Sequence, residues 1–296
     1  MNNFEELFIK FIGYIHVTKG TSSNTEVSYL RDLRQMQTYL IANGVKEIDQ
    51  VTDKHLTAFV DSLFTAGKKS TTISRCVASM KAFFGYLFTK KIISNNPAES
   101  LKTPKIEKKE PSILSMDEVV RLIECVDKDT PKEIRDRAML ELMYATGMRV
   151  SELISMRLED LNMPGEFVVC ADSKKTRQIP FGHACKVALE KYLSGAREEL
   201  LEGKASEYLF VNCSGDEMSR QGFWKIIKTY GKRAKITSEL TPHTLRHSFA
   251  AHLVSGGAEL KDIQEMLGHS DISTTQMYAK MSKNSVRESY KKAFPR

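Results

Sequence analysis

A segment rich in proline and lysine interrupts the apolar periodicity of this chain between residues 91 and 113. Its centre, KTPKIEKKEP, has neither a helical nor a strand pattern, and its prolines cannot donate backbone hydrogen bonds. Each flanking block is long enough to form a hydrophobic core. The sequence therefore predicts two domains, residues 1–107 and 112–296, joined by a basic linker.

The first block carries apolar residues at helical spacing. One helical face holds five of them: Phe4, Leu7, Phe8, Phe11 and Ile15. Three more helices are predicted, from about residue 24 to 43, from 53 to about 67, and from about 70 onward. Four amphipathic helices joined by short turns predict a small bundle.

The second block is predicted to be mostly helical, with one short hairpin. Ser115 and Glu118 have the spacing of a capping box, which would start a helix near residue 116. The stretch from Phe167 to Pro180 predicts a β-hairpin with a basic tip. Further helices are predicted near residues 131–146, 183–202, 219–234, 241 onward, 259–267, 271–279 and 282–293. The predicted fold class is mainly α, with a small antiparallel sheet in the second domain.

Composition narrows the class of protein. Hydrophobic residues make up 41% of the chain and charged residues 27%, which is globular and excludes a disordered or collagen-like protein. No apolar run reaches the ~20 residues that span a bilayer, and the N-terminus lacks a secretion signal. We therefore expect a cytoplasmic protein with no membrane partner. The five cysteines are scattered without a CxxC spacing, which predicts neither a disulfide nor a cysteine metal site.

Charge and one short motif point towards phosphate. The formal charge of +7 favours a nucleic-acid partner, although a solvated basic surface would give the same value. His243 and Arg246 lie three apart, so they share a helical face, and Thr241 and Pro242 predict that a helix begins just before them. A helix N-terminus favours an anion. Taken alone, the motif is weak, because a histidine and an arginine at this spacing often occur by chance on an ordinary surface helix.

Further candidate residues gain meaning from their order along the chain. Gly147 is expected to end one helix and Arg149 to open the next. His269 follows Gly268, which is expected to end another helix, and Tyr278 comes nine residues later. Each has an ordinary explanation, such as a surface charge for Arg149 or a half-buried ring for Tyr278.

The complete ordered set resembles a known family. Arg149, a lysine-tipped hairpin, His243 with Arg246, His269 and Tyr278 resemble the catalytic set of the tyrosine site-specific recombinases. TGMRVSEL, RQIPFG, MSRQGFW, HTLRHSFAAHL and LGHSDISTTQMYAK are similar to the Xer branch of that family. The resemblance spans essentially the whole chain. It implies an N-terminal SAM-like core-binding domain that binds DNA, followed by a catalytic domain.

The resemblance assigns a role to each matching residue. Arg149 and Arg246 would hold the scissile phosphate and neutralise its charge. Tyr278 would be the nucleophile, His269 would donate to the phosphate, and His243 would transfer the proton of the tyrosine hydroxyl. A covalent tyrosyl intermediate conserves the energy of the broken bond, so the strand can be rejoined. No metal and no cofactor is implied.

Three neighbouring residues have supporting interpretations. Glu152 either orients the Arg149 guanidinium from the next helical turn or is a surface carboxylate. His247 is expected to point away from the face that carries His243. Trp224 is expected to pack in the core or against the DNA backbone.

The general-acid lysine departs from the family pattern. Family members carry a GKGxKxR hairpin whose catalytic lysine lies eight residues before a strand proline. The residue eight before Pro180 is Asp172, which cannot be that acid. A hairpin tip two residues shorter aligns Lys174 with the catalytic lysine and Lys175 with the second lysine of the motif. Both lysines could instead contact the DNA backbone.

The implied function is site-specific cutting and rejoining of duplex DNA through a 3′-phosphotyrosyl intermediate and a Holliday junction, in the resolution of chromosome dimers. The residues expected to contact DNA are Lys105, Lys175, Arg177 and Arg220. The DNA would carry inverted half-sites, and four protomers would act on two duplexes. A second, XerC-like recombinase and an FtsK-like DNA translocase are the protein partners that the resemblance suggests.

Three alternatives stay open from the sequence. An integrase of a phage or conjugative element would have the same site. A type IB topoisomerase would share the chemistry without site specificity, although the motif order and the short chain argue against it. An inactive DNA-binding regulator would bind without cutting, and the intact set of predicted catalytic residues argues against that function.

Overall fold

The computed structural model describes residues 4–105, 112–172 and 175–268. The chain divides into two units, Met1–Lys109 and Glu110–Arg296. Each unit buries hydrophobic side chains of its own.

Four helices build the N-terminal unit: α1 Phe4–Lys19, α2 Ser23–Ala42, α3 Asp53–Thr65 and α4 Ser70–Thr89. Ser22 caps the start of α2 and Thr52 caps the start of α3, each by accepting a hydrogen bond from a backbone N–H three residues later. The predicted apolar face of α1 is buried, and its Phe8 and Phe11 rings both pack edge-on against Phe83 of α4. The predicted helical bundle is confirmed.

The segment after α4 is better packed than its composition predicts. Residues 92–105 form no helix, yet Ile93, Ala98 and Leu101 are buried among the side chains of the bundle. The prediction of a linker over residues 91–113 is therefore wrong for the first part of that segment, because burial of these apolar side chains makes it part of the N-terminal unit. Residues 106–111, its lysine-rich centre, lie outside the described residues.

Eight helices are described in the C-terminal unit: α5 Met116–Glu124, α6 Pro131–Thr146, α7 Val150–Ser155, α8 His183–Lys191, α9 Arg197–Leu201, α10 Arg220–Arg233, α11 Pro242–Ser255 and α12 Leu260–Leu267. A π-helical turn at Tyr192–Ala196 joins α8 to α9, so the helix predicted over 183–202 has an irregular centre. The helices predicted at 271–279 and 282–293 lie outside the described residues. No helix in the three described ranges combines the length and apolar content that a bilayer crossing requires.

A small antiparallel sheet completes this unit: β1 Leu161–Asn162, β2 Phe167–Asp172 and β3 Lys175–Pro180, in that spatial order. Val168 pairs with Ile179, and both side chains are fully buried. The last described pair of the β2–β3 ladder is Asp172 with Lys175. The predicted hairpin and the mainly α fold class are confirmed, while residues 173 and 174 at the hairpin tip lie outside the described residues.

Helix α11 is anchored to the first residues of the same unit. The N–H of Leu114 donates to Oγ of Ser248 on α11 at 2.9 Å. One turn later, Nδ1 of His252 lies 2.9 Å from the hydroxyl of Tyr144 on α6. Burial lowers the pKa of His252, because the charged imidazolium would lose its hydration. These contacts fix α11, which carries two of the predicted catalytic residues.

Candidate active site

The junction between α6 and α7 places Arg149. Helix α6 ends at Gly147, whose φ of +58° is left-handed and whose N–H donates to the carbonyl of Met143 at 3.0 Å. Arg149 follows as the N-cap of α7. The predicted helix stop at Gly147 and helix start at Arg149 are both confirmed.

The same glycine allows α11 to approach this junction. A Cβ atom at Gly147 would lie 2.2 Å from Cδ1 of Phe249 on α11, which is far inside van der Waals contact. The carbonyl of Gly147 also accepts a hydrogen bond of 2.6 Å from Nη1 of Arg246, on the same helix as Phe249. A residue without a side chain is therefore required for the α6–α7 junction to meet α11.

Gly147→Ala is expected to lower the free energy of unfolding by at least about 2 kcal/mol. A left-handed backbone costs an L-residue roughly 1–2 kcal/mol, and forcing a methyl group against a packed ring typically adds ~1–3 kcal/mol. Urea unfolding followed by circular dichroism measures the difference. The matched control is Gly203→Ala, because Gly203 also has a positive φ, +83°, with nothing within 4 Å of its Cβ position. Equal losses in both variants would contradict the importance of the ring contact.

Glu152 holds Arg149 in two ways. Its Oε2 accepts the backbone N–H of Arg149 at 2.7 Å, and its Oε1 accepts from Nη1 of the same arginine at 3.0 Å. The Arg149 side chain is 37% exposed, while that of Glu152 is 12% exposed. Of the two interpretations of Glu152, the structure shows the orienting one. The carboxylate is screened from solvent, and the guanidinium that it orients is still reachable.

Arg246 is buried, with only 6% of the residue exposed. Burying a guanidinium is costly unless its N–H groups are hydrogen-bonded. Besides the bond to Gly147, its Nη2 donates to the carbonyl of Leu267 at 2.6 Å. Arg246 therefore connects the end of α6 to the end of α12.

The C-terminal end of α12 is a meeting point for three arginines. The last carbonyl groups of a helix have no partner within the helix and carry the negative end of its dipole, so they attract cations. Gly268 ends the helix with a φ of +61°, as predicted. Three successive carbonyls each accept one guanidinium N–H: Met266 from Arg177 at 2.7 Å, Leu267 from Arg246 at 2.6 Å and Gly268 from Arg149 at 3.1 Å.

Arg177 differs from its predicted role. Its side chain is 3% exposed, and its Nη2 donates to both carboxylate oxygens of Glu152, at 2.9 and 2.8 Å. Unlike Arg246, whose bonds given above are to uncharged carbonyls, Arg177 has its charge paired with the Glu152 carboxylate and is not placed to meet a DNA backbone. The prediction that Arg177 contacts DNA is therefore wrong. The physical reason is that β3 turns alternate side chains inward, and position 177 faces the core.

The two histidines of α11 lie side by side. His243 is exposed on the first turn of the helix, and its ring centroid is 6.4 Å from that of His247. The prediction that His247 points away from His243 is wrong, because residues four apart share a helical face. Burial, with smaller contributions from His243 and Arg246, lowers the pKa of His247. At neutral pH His247 is thus held as a neutral ring beside His243.

Two further residues that are predicted to contact DNA lie on the protein surface. Arg220 is exposed at the start of α10, and Lys105 is exposed after the N-terminal bundle. Trp224, on the same helix as Arg220, is 47% exposed, with Nζ of Lys228 5.4 Å from its ring centroid. Trp224 is therefore not a core residue. Its packing against the DNA backbone stays a prediction.

The other predicted site residues are only partly covered by the structure. Lys174, His269 and Tyr278 lie outside the described residues, and the side chain of Lys175 is likewise not described. Arg149 and Arg246, which are described, are almost a hundred positions apart in the chain, yet both donate hydrogen bonds to the C-terminal end of α12. The sequence did not indicate the role of the α12 carbonyl groups or of Arg177. For Arg177 the available signal was its two-residue spacing from the apolar Ile179, which places both side chains on one face of β3.

Comparison with known proteins covers both units. The phage integrase family matches residues 112–285, and the N-terminal SAM-like domain of phage integrases matches residues 8–91. The chain is 42% identical to the tyrosine recombinase XerD of Staphylococcus epidermidis over 288 residues, which cover 97% of this chain and 98% of that protein.

Two solved structures share the fold. One is XerH recombinase bound to its difH substrate before cleavage, with 21% identity, a TM-score of 0.70, and coverage of 86% of this chain and 76% of that chain. The other is the Tn1549 transposon integrase in complex with transposon right end DNA, with 19% identity, a TM-score of 0.75, and coverage of 98% of both chains. The predicted resemblance to the Xer branch is confirmed. This chain belongs to the phage integrase family of tyrosine site-specific recombinases.

Proposed function

We propose that this recombinase cuts and rejoins duplex DNA through a covalent bond between Tyr278 and the 3′-phosphate of the cut strand. The observation that carries the proposal is the position of Arg149 and Arg246. Their guanidinium groups bond to the neighbouring carbonyls of Gly268 and Leu267, immediately before His269 in the chain. Arg149 and Arg246 are thus brought together at the two residues that precede His269 in the sequence.

The net positive charge of the side chains around the end of α12 supports the binding of a phosphate there. A phosphodiester resists attack because the nucleophile and the phosphate both carry negative charge. Arg149, Arg177 and Arg246 supply three guanidinium groups against the one carboxylate of Glu152, an excess of two positive charges among these four side chains. Arg149 and Arg246 would hold the non-bridging oxygens and neutralise the charge that develops on them.

Proton transfer falls to the remaining members of the set. In cleavage, His243 would take the proton of the Tyr278 hydroxyl while its oxygen attacks phosphorus, and Lys174 would give a proton to the departing 5′-oxygen. Resealing would reverse both transfers. His269 would donate to the phosphate. The exposure of His243 on the first turn of α11 supports its part, since the base must reach an incoming group.

DNA binding would involve both units, with residues 1–107 as the core-binding domain and residues 112–296 as the catalytic domain. In the catalytic domain, Arg220, Trp224 and Lys228 follow each other at four-residue spacing on α10, which gives one cationic and aromatic face. Lys105 and Lys175 would add contacts to the DNA backbone. The related XerH and Tn1549 proteins are seen bound to DNA, which supports a duplex as the partner.

The cellular role that the similarity to XerD supports is the resolution of chromosome dimers in the cytoplasm at segregation. Strand exchange would need four protomers on two duplexes, joined by a Holliday junction. A XerC-like second recombinase would supply half of the protomers, and an FtsK-like translocase would bring the two sites together.

Selection of bound duplexes from a random-sequence pool, followed by a strand-exchange assay on the selected sequence, tests this function. We expect two inverted half-sites of about one helical turn each around a short spacer. A selected site that is bound but never cut would indicate that the protein is an inactive DNA-binding regulator. Relaxation of supercoils without any preferred sequence would indicate the topoisomerase, and a site that occurs in mobile elements instead of the chromosome would indicate the integrase.

A further inference from the structure

The contacts of Arg177 place it in the candidate site, although the resemblance assigns it no catalytic role. Its guanidinium is buried and is bonded on two sides, through Nη2 to the carboxylate of Glu152 and through Nε to the carbonyl of Met266. Because Arg177 lies on β3, these two bonds tie the hairpin to α7 and to the end of α12. The lysine candidates for the general acid precede it on the same hairpin.

The Glu152 carboxylate is shared between two arginines. It accepts two hydrogen bonds from Arg149 and two from Arg177. A carboxylate has two oxygens and can satisfy this number of donors, but only in one orientation. Arg177 therefore determines where the carboxylate lies, and the carboxylate determines where the Arg149 guanidinium lies.

The end of α12 keeps Arg177 itself in place. The bond from Nε to Met266 is 2.7 Å long, and Gly268 packs so closely that a Cβ atom there would lie 3.1 Å from Cζ of Arg177. The guanidinium has carboxylate on one side and helix end on the other, so it has little room to move.

We propose that Arg177 is a positioning residue, which fixes Glu152 so that Glu152 holds the guanidinium of Arg149 against the scissile phosphate. This inference rests on the proposed role of Arg149. The consequence is specific: a variant of Arg177 should lose charge neutralisation at the phosphate, which is the contribution of Arg149, and should still bind DNA through the other contacts.

The test measures single-turnover formation of the covalent protein–DNA adduct by the full-length chain on a nicked duplex. Arg177→Lys keeps the charge but lacks the planar fork, and Arg177→Gln lacks both. We expect both variants to bind the duplex with wild-type affinity and to form the adduct about 100-fold more slowly, because a small misplacement of a catalytic group has effects of that order.

A second substrate identifies the cause of the loss. A methylphosphonate at the scissile position replaces one charged oxygen by a methyl group, so less charge needs neutralisation. The defect of Arg149→Ala, relative to wild type on the same substrate, should shrink on the methylphosphonate. If Arg177 acts through Arg149, the defects of Arg177→Lys and Glu152→Gln should shrink as well.

The matched control is Arg197→Lys. Arg197 is as buried as Arg177, at 5% exposure each, but its guanidinium donates to the carbonyls of Ser206, Tyr208 and Leu209. Its one contact with a carboxylate among the described residues is to the exposed side chain of Glu198, at 3.4 Å. Any loss that Arg197→Lys causes should be the same factor on the phosphodiester and on the methylphosphonate, since it comes from general destabilisation.

The possible outcomes test the positioning role of Arg177 separately from the proposed function. An Arg177→Lys variant that cleaves at the wild-type rate, that loses the same factor on both substrates, or that does not fold would overturn the positioning role. If Arg149→Ala is rescued in that experiment, the proposed function still stands. A wild-type chain that forms no adduct on either substrate would contradict the proposed function itself.

Discussion

Tyr278→Phe is expected to abolish the covalent protein–DNA adduct on a nicked duplex while leaving DNA affinity unchanged. The phenol oxygen is the proposed nucleophile, and the substitution removes that oxygen without altering the ring. Without that oxygen the covalent intermediate cannot form, and a strand that is to be rejoined needs this intermediate because it retains the bond energy. Denaturing gel electrophoresis measures the adduct, and a mobility-shift titration measures the affinity.

The control for this prediction is Tyr290→Phe, in the same C-terminal segment. We expect it to form the adduct at the wild-type level. If Tyr278→Phe keeps the wild-type yield and Tyr290→Phe loses it, the nucleophile has been assigned to the wrong tyrosine.

Lys174→Ala is expected to slow cleavage by ~10²–10⁴-fold, the usual contribution of a general acid. The proposed role of Lys174 is to protonate the 5′-oxygen as it departs. Replacing that bridging oxygen by sulfur removes the need for an acid, since a thiolate leaves without a proton. The defect should therefore largely disappear on a 5′-bridging phosphorothiolate substrate, with rates measured in single turnover.

Lys175→Ala separates the two lysines of the hairpin. A lysine that only contacts the DNA backbone loses the same factor on both substrates, because it supplies binding and not a proton. Rescue of Lys175→Ala alone would show that the shortened-hairpin alignment is wrong by one residue. Rescue of neither variant would place the acid elsewhere, and Asp172 would then mark a real departure from the family pattern.

Helix and hairpin positions could be predicted because their signals are local. Thr241 with Pro242, Ser115 with Glu118, and Gly147 act through hydrogen bonds or backbone angles within a few residues of themselves. The structure confirms each of these boundaries. The signals for the hairpin of β2 and β3 are local in the same sense.

Contacts between distant segments could not be predicted in this way. Ile93, Ala98 and Leu101 are separated by polar residues and show no period, yet they are buried because the bundle offers them an apolar surface. The contact of Arg177 with Glu152 joins residues 25 positions apart and depends on how β3 lies beside α7. The sequence predicts that Arg177 contacts DNA, whereas tertiary packing places its side chain inside the unit.

The candidate site shows the same division. Motif order identified Arg149 and Arg246, but only their position in the fold shows that both bond to the end of α12 and that Glu152 orients one of them. The pairing of His243 with His247 follows from helical spacing alone. The contact could therefore have been predicted from the sequence. The prediction that His247 points away from His243 placed the two residues on different helical faces, although residues four apart share one.

The most direct test of the central claim is to identify the residue and the phosphate that are joined in the covalent complex. The wild-type chain is trapped on a nicked duplex, digested with protease and nuclease, and analysed by mass spectrometry. We expect one modified peptide, containing Tyr278, with the nucleotide attached through its 3′-phosphate. Attachment to another residue, or through a 5′-phosphate, would contradict the proposed mechanism.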